Sequence, residues 1–366
     1  HPVEGLRVDA MIPIAKPVIE QTDVDAVVSA LQSGQLTGGP IVQQFETELA
    51  QYSGYKHAVV VSSGTAALHI AMHALGIGKG DHVVVPDFTF IATANAPRYV
   101  GAKPVFCDVD ARTYNLDPQK LEKKITDKTK AIIPVSLYGQ AYDVDAVNEI
   151  ATRHGIPVVS DNCQAIGAAW NAKRNFGDAM ATLSFYPTKN MTSTEGGAIL
   201  TDRDDIAEEC RLWRNIGQRK PYDYAHVGYN YRLNSVSAAL GLSQLRRLDA
   251  FTSKRRANAN MLNDLLSGVK KIQTPFEDPR ATHVYNQYTL QAKDRDALKA
   301  HLQQNGVGSN VYYPMPLSQL ETFGGKSGAP VARRVSQRVL SIPVHPALSE
   351  ADVHAVADAV KTFKGA

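Results

Sequence analysis

"VVVSSGTAALHIAMHAL", residues 59–75, joins two periodicities across a four-residue turn. Val59–Val61 is a β-branched run, and from Ala66 the apolar residues recur at helical spacing. Ser62-Ser63-Gly64-Thr65 therefore turns a strand into a helix. Unpaired N–H groups at a helix start attract an anion, and Gly64 lets that anion approach closely. Ser63 and Thr65 add hydroxyl donors. A capped helix start needs only one of those hydroxyls, so an anion site and a plain cap are both open readings here.

The same texture extends outward. Short, nearly continuous apolar runs fall at His57–Val61, His82–Pro86, Pro104–Asp108, Ala131–Val135, Pro157–Ser160, Thr182–Phe185 and Ala198–Thr201. Runs of this kind suit strands buried on both faces. Helical patterns at Ala66–Leu75, Leu121–Thr126 and Val144–His154 lie between them. Alternation of this kind predicts a mainly parallel α/β sheet. Between Thr182 and Thr201 two strands follow with only a loop, which predicts one antiparallel member. Beyond Phe251 the texture changes to a basic helical stretch (Thr252–Leu265), "HVYNQYTLQA", a helix at Arg295–Asn305, "VGSNVYYPMPL" and a last amphipathic helix at Ala351–Phe363. The expected organisation is a large domain over 11–250 and a smaller α+β domain over 251–366. Met11 reads as a native start, with 1–10 an extension or a tag remnant.

Composition narrows the classes. The chain has 366 residues, 44% of them hydrophobic, ample for a buried core. The formal charge of +3 is small and interspersed, which gives no nucleic-acid surface. Three cysteines, Cys107, Cys163 and Cys210, are widely spaced and form no CxxC, so a reducing compartment is expected. No run approaches the roughly 20 apolar residues of a membrane span, and no secretory h-region precedes Met11. The expected location is the cytoplasm.

Several further stretches bear on chemistry. "VVVPDFTFIATANAP" places Phe88 and Phe90 at a strand end, where α/β sheets collect ligands. Each is read either as core or as a face for a flat ring. Asp161 closes the strand of "GIPVVSDNCQAIGA", where a carboxylate is costly without a partner. It either caps the next helix or meets a bound cofactor, with Gln164 at helical spacing behind it. In "SFYPTKNMTSTEGGAIL", residues 184–200, Lys189 follows a strand end and precedes Gly196-Gly197. A desolvated lysine can form a Schiff base, whereas a lone lysine is most often a solvated charge. Two patterns carry no site. His69 and His73 are spaced i, i+4, but Ile70 replaces the glutamate of a zinc-protease helix, so they read as packing or surface histidines. "GIGKG" (76–80) lacks the Ser or Thr of a phosphate loop and reads as a turn. No GxGxxG follows an early strand, which removes a dinucleotide-binding dehydrogenase.

A Ser-Gly-Thr helix start, an aromatic strand end, a strand-end Asp and a loop Lys, in that order, are the parts pyridoxal 5'-phosphate requires. With them the chain resembles the DegT/DnrJ/StrS family of pyridoxal-phosphate-dependent sugar aminotransferases. The resemblance runs from "IPIAKP" and "SGQLTGGPIVQQFE" through "YGQAYDVD", "DNCQAIGA" and "GYNYRLNSVSAALGLSQL" to "YYPMPL". It implies fold type I, the aspartate-aminotransferase-like fold, with a mainly parallel seven-stranded sheet in the large domain. It also implies that Gly64, Thr65 and Ser184 bind the phosphate and that Phe90 stacks on the pyridine ring. Asp161 would pair with the ring nitrogen and Gln164 with the ring hydroxyl. Lys189 would carry the cofactor as an internal aldimine and act as the proton carrier. Asn230 would reach the phosphate of a neighbouring subunit, hence a homodimer with shared sites.

The implied reaction moves an amino group from an amino acid, L-glutamate, to a keto sugar on a nucleoside diphosphate by ping-pong half-reactions. Lysine at 189, where some relatives carry histidine and dehydrate, favours transamination. Arg232, His283, Tyr312, Tyr313 and Lys16 are the residues expected to meet the diphosphate and sugar. Two departures from the family pattern stand out. "DNCQ" puts Cys163 where small residues are commoner, and "YYPMPLSQL" has Ser318 or Gln319 where many relatives carry histidine. The competing readings are an aminocyclitol aminotransferase of the same family and a cofactor-binding regulatory or structural protein without turnover.

Overall fold

The computed structural model describes residues 11–177, 179–326 and 328–365; the proposed extension over 1–10 lies outside them. His82–Pro86 runs parallel to Lys103–Cys107 on one side and to Thr129–Ile132 on the other. Val159–Asp161 runs parallel to Met180–Ser184. That strand pairs antiparallel with Gly197–Thr201, which in turn pairs antiparallel with His57–Val61. Parallel bridges Ile132–Val158 and Val135–Asp161 join the two groups. The order across the sheet is thus 103–107, 82–86, 129–132, 159–161, 180–184, 197–201, 57–61, and 197–201 alone runs against the rest. It can do so because residues 185–196 form a loop, whereas parallel neighbours need a long crossover.

Both faces of this sheet are covered, and the strand alternation shows how. Val59, Val61, Met180 and Ile199 face a core shared with helix Gly64–Ala74. Ala58, Val60, Ala181, Leu183 and Leu200 face the opposite core, with Phe45 and Leu49 of helix Pro40–Ser53 and Leu242 and Leu245 of helix Ser235–Leu245. Neighbours along a strand point to opposite faces, so an apolar run without polar interruption is what a doubly covered sheet requires.

A further core lies around an antiparallel sheet of Ile272–Gln273, Tyr288–Ala292 and Val339–Ile342. Helices Leu248–Leu265, Arg295–Gln304 and Glu350–Lys361 pack on it. Ile12 bridges to Val307, so the start of the described chain joins this part. Residues 312–326 and 328–335 return to the large sheet. Leu317 is buried in its core, and Ala332 and Val335 pack with Phe88, Val135 and Tyr138.

Strand positions agree with the sequence reading to within two residues at most ends. One helix does not. Leu121–Thr126 is not a helical run but a short helix at Pro118–Leu121 followed by a 3-10 turn at Glu122–Lys124. Pro118 starts the helix, and four lysine and glutamate residues leave only Leu121 to bury. Helices at Gln21–Gln32, Ala92–Tyr99 and Asp204–Arg214 were not apparent from pattern. The second carries Pro97 inside it.

Candidate active site

Four strand ends converge on one cleft of about 510 Å³. Ser63, Gly64 and Thr65 come from the first turn after 57–61, and Phe90 and Thr93 from the segment after 82–86. Asp161 and Gln164 follow 159–161, Ser184 and Lys189 follow 180–184, and Tyr312 and Tyr313 come from the returning segment. Ten of the fourteen residues singled out in the sequence therefore line a single cavity.

The turn at its floor is built close. Ser63 caps the helix by accepting the Ala66 N–H at 3.0 Å, so the cap reading holds for Ser63. The first-turn N–H groups of Gly64 and Thr65 have no intrahelical acceptor. A Cβ on Gly64 would stand 2.8 Å from Ser184 Cβ and 3.0 Å from Cys163 Sγ. A Cβ on Gly197 would stand 2.5 Å from the Ser63 carbonyl oxygen. Both glycines are thus required by close approach, and the cradle they leave, two backbone donors flanked by Thr65 and Ser184 hydroxyls, fits an anionic phosphate.

Asp161 is 4% exposed. Its Oδ2 accepts from Thr93 Oγ1 at 2.8 Å, and its Oδ1 from the Cys163 N–H at 3.2 Å. A buried carboxylate held by only two neutral donors suits a cationic partner in the cleft. Thr93 was missed in the sequence; its signal is the i, i+4 pair with Thr89, whose Oγ1 lies 3.3 Å away. Gln164 accepts the Tyr138 N–H at 2.9 Å and donates from Nε2 to the Tyr313 hydroxyl at 3.0 Å. The two phenylalanines part company. Phe88 is 1% exposed, in the core, whereas Phe90 is 53% exposed and faces the cleft.

Lys189 sits in a pinned loop. Its N–H donates to Tyr186 O at 2.9 Å, and the Phe185 N–H donates to Gly196 O at 2.8 Å. Asn190 Nδ2 donates to Val284 O at 2.8 Å. Burial lowers the Lys189 pKa from its ordinary value, against the opposing pull of Cys163 and Asp161. Burial also holds the Cys163 thiol far above its usual range, hence protonated. Among the described residues the Lys189 amine takes no hydrogen-bond partner, which leaves its lone pair accessible on deprotonation.

Four predicted residues lie elsewhere. Asn230 and Arg232 are exposed, on a segment that runs beside the cradle through a Val61–Arg232 bridge. Arg232 donates to Asn215 Oδ1 at 2.7 Å and lines a second cleft of about 450 Å³ with Arg211, Arg214 and Arg219. His283 is 3% exposed and stacked on Tyr285 at 4.0 Å, away from the cleft. Burial depresses its pKa to about 3. Lys16 is exposed and stands near His345. His69 and His73 pack against Tyr229, Tyr231 and Trp213, as packing histidines should. No metal cluster forms among the described residues.

A family model for the DegT/DnrJ/EryC1/StrS aminotransferases matches residues 17–361. The chain belongs to that family. It is 41% identical over 342 residues to a pleiotropic regulatory protein of Geobacillus stearothermophilus, covering 91% of this chain and 92% of the relative. It is 40% identical over 341 residues to a UDP-2-acetamido-2-deoxy-3-oxo-D-glucuronate aminotransferase of Pseudomonas aeruginosa, covering 92% and 95%. Among solved structures it resembles Streptomyces venezuelae DesV in complex with a ketimine intermediate, with a TM-score of 0.91, 37% identity and 93% of each chain covered. The aminotransferase thus has the fold type I architecture of its family, and it is an enzyme of the transaminase class. Its three cysteines are unpaired. Among the described residues no helix is long and apolar enough to cross a membrane.

Proposed function

We propose that this aminotransferase uses pyridoxal 5'-phosphate to move nitrogen from L-glutamate to a keto sugar carried on a nucleoside diphosphate. The observation that carries the reading is Lys189, a half-buried amine of lowered pKa that opens, with Asp161, onto the glycine cradle at 64–65. When bound, the cofactor supplies an electron sink for the substrate's Cα electrons. Gly64 and Thr65 N–H groups, with the Thr65 and Ser184 hydroxyls, hold the phosphate, and Ser63 keeps the helix start in place. Asp161, steadied by Thr93, holds a proton on the pyridine nitrogen. Phe90 covers the ring face, and Gln164 meets the ring hydroxyl. With the cofactor bound, Lys189 Nζ would be the group that moves the proton between Cα of the amino donor and C4′ of the cofactor. One site serving donor and acceptor in turn gives ping-pong kinetics.

Anionic substrates need more positive charge than this cleft holds. Among its described lining residues the cation is Lys189, against Asp161 and Glu195. Arg232 and the neighbouring arginines line a different face, with Asn230 two residues before Arg232 in the chain. A homodimer in which that face closes the partner's cleft would supply Asn230 to the phosphate and Arg232 to the diphosphate, with Tyr312 and Tyr313 on the sugar. We read residues 11–250 and 251–366 as the large and small domains, and the enzyme as cytoplasmic.

The test is spectroscopic. Protein loaded with pyridoxal 5'-phosphate shows the absorbance of a lysine-linked cofactor, and L-glutamate converts it to the pyridoxamine form. A panel of nucleotide-linked keto sugars then restores the first band for the true acceptor. The likeness to a regulatory protein favours a second reading, binding without turnover, which predicts a loaded protein that neither glutamate nor any other amino donor converts.

A further inference from the structure

Asp87 carries no role in the chemistry above, yet it is fully buried. A buried carboxylate is costly without donors. Two donors to it come from a segment 231 residues away in sequence: Oδ1 accepts the Ser318 N–H at 2.7 Å and Oδ2 the Ser318 hydroxyl at 2.6 Å. The Asp87 carbonyl also accepts the Leu317 N–H at 2.8 Å, and its own N–H donates to Cys107 O at 2.8 Å. One residue at the rim of the large sheet thus clamps the returning segment.

Between the clamp and Tyr313 stand Pro314, Met315, Pro316 and Leu317. Two prolines fix φ at alternate positions and make the spacer stiff, and Leu317 is buried in the sheet's core. A displacement at Ser318 is therefore passed to Tyr313. On the other side, the Tyr138 hydroxyl donates to Tyr312 O.

The direction of the Tyr313 proton follows from its partner. The Tyr138 N–H can only donate, so it fixes the Gln164 oxygen on its own side. The Gln164 amide nitrogen then faces Tyr313, whose oxygen accepts at 3.0 Å. The Tyr313 O–H is left to donate into the cleft, beside Phe90 at a ring separation of 6.2 Å. Burial raises the phenol's pKa, so the proton is present throughout the working range.

We propose that Asp87, acting through Ser318, is a positioning residue that sets Tyr313 as a hydrogen-bond donor to the ligand in the cleft. The proposal rests on the transaminase reading above. Ser318 occupies the region where many relatives carry histidine, so in this chain the position serves as an anchor.

The test uses full-length protein loaded with pyridoxal 5'-phosphate and the variants Ser318→Ala, Asp87→Asn and Tyr313→Phe, alone and combined. Hydrogen exchange of residues 310–320 and the rate of the glutamate half-reaction are followed together. Ser318→Ala is expected to speed exchange at 317–318 and around Tyr313, and to slow the half-reaction roughly three- to tenfold, the scale of one hydrogen bond. In the Tyr313→Phe background the same change should cost less than about twofold, because coupled residues are non-additive. Equal losses in both backgrounds, or exchange that rises at 317–318 alone, would overturn the proposal. If Asp87→Asn fails to fold, Ser318→Ala carries the test. A wild-type protein that glutamate leaves unchanged defeats the transaminase reading, and the exchange pattern then still decides whether Ser318 positions Tyr313.

Discussion

Two clefts of similar size differ in what fills their walls. The one at the strand ends carries hydroxyls, aromatic rings, Asp161 and Lys189. The one beside helix Asp204–Arg214 carries Arg211, Arg214, Arg219 and Arg232. In the first, burial lowers a lysine's pKa and so prepares an amine for proton transfer. In the second, guanidiniums remain charged whatever surrounds them and suit phosphate oxygens. The contrast separates chemistry, which needs a neutral amine in a dry pocket, from anchoring, which needs permanent charge.

The largest effect should come from Lys189→Ala, which removes the proton carrier. Turnover is expected to fall by about 10⁴-fold, the upper range for general acid–base catalysis, and the lysine-linked absorbance should vanish. An adduct still trapped by borohydride in that variant would place the chemistry elsewhere. Next, Asp161→Asn should cost roughly 10²–10³-fold, the scale of losing one preorganised electrostatic partner, with Thr93→Ala milder because it only steadies that carboxylate. Stopped-flow rates with glutamate measure both.

The link between the clefts is tested by mixing chains. Lys189→Ala and Asn230→Ala proteins are expected to be impaired alone and to regain activity when refolded together, because one site of each hybrid is then intact. No recovery would mean that Asn230 serves its own chain. Smaller still is Gly64→Ala, whose methyl would meet Ser184 and Cys163. Overpacking costs about 1–3 kcal/mol, read as a lower melting temperature and weaker cofactor binding. Ser63→Ala should cost about 1 kcal/mol through the lost cap.

The smallest effect concerns pH at the ring cluster around His69. His69 Nδ1 lies 3.3 Å from the Tyr231 hydroxyl, and burial, helped by His73, lowers the His69 pKa to about 4. The unfolded chain then binds more protons than the folded one between about pH 6.5 and 4, so stability should fall as pH drops through that window. Burial depresses His345 to about 4 and His283 to about 3 in the same direction. Replacing His69 by Phe should flatten the melting temperature's dependence on pH; an unchanged slope would clear His69 of the effect.

Much of this was legible in the sequence, for reasons that differ by residue. Strands 57–61 and 82–86 were visible because strands buried on both faces read as unbroken apolar runs. Lys189, Asp161 and Gly64 were found through motif order. Thr93 and Asp87 were missed, since each acts through a partner 68 or 231 residues away. The short helix at Pro118–Leu121 was overread, because charged residues at helical spacing carry no information about burial. His283 and Lys16 were placed by proximity to motifs, and the chain path takes both away from the cleft.

The sequence by itself determined the alternation of strand and helix, the antiparallel member after Ser184, and the set of residue types a cofactor would need. Those follow from local periodicity and from side-chain chemistry, which survive without knowledge of the chain path. Only the tertiary structure decided that Thr93 steadies Asp161, that Asp87 holds Ser318, and that the Gln164 amide nitrogen faces Tyr313. Each of those depends on a contact between segments distant in sequence, and such contacts are set by packing, not by pattern.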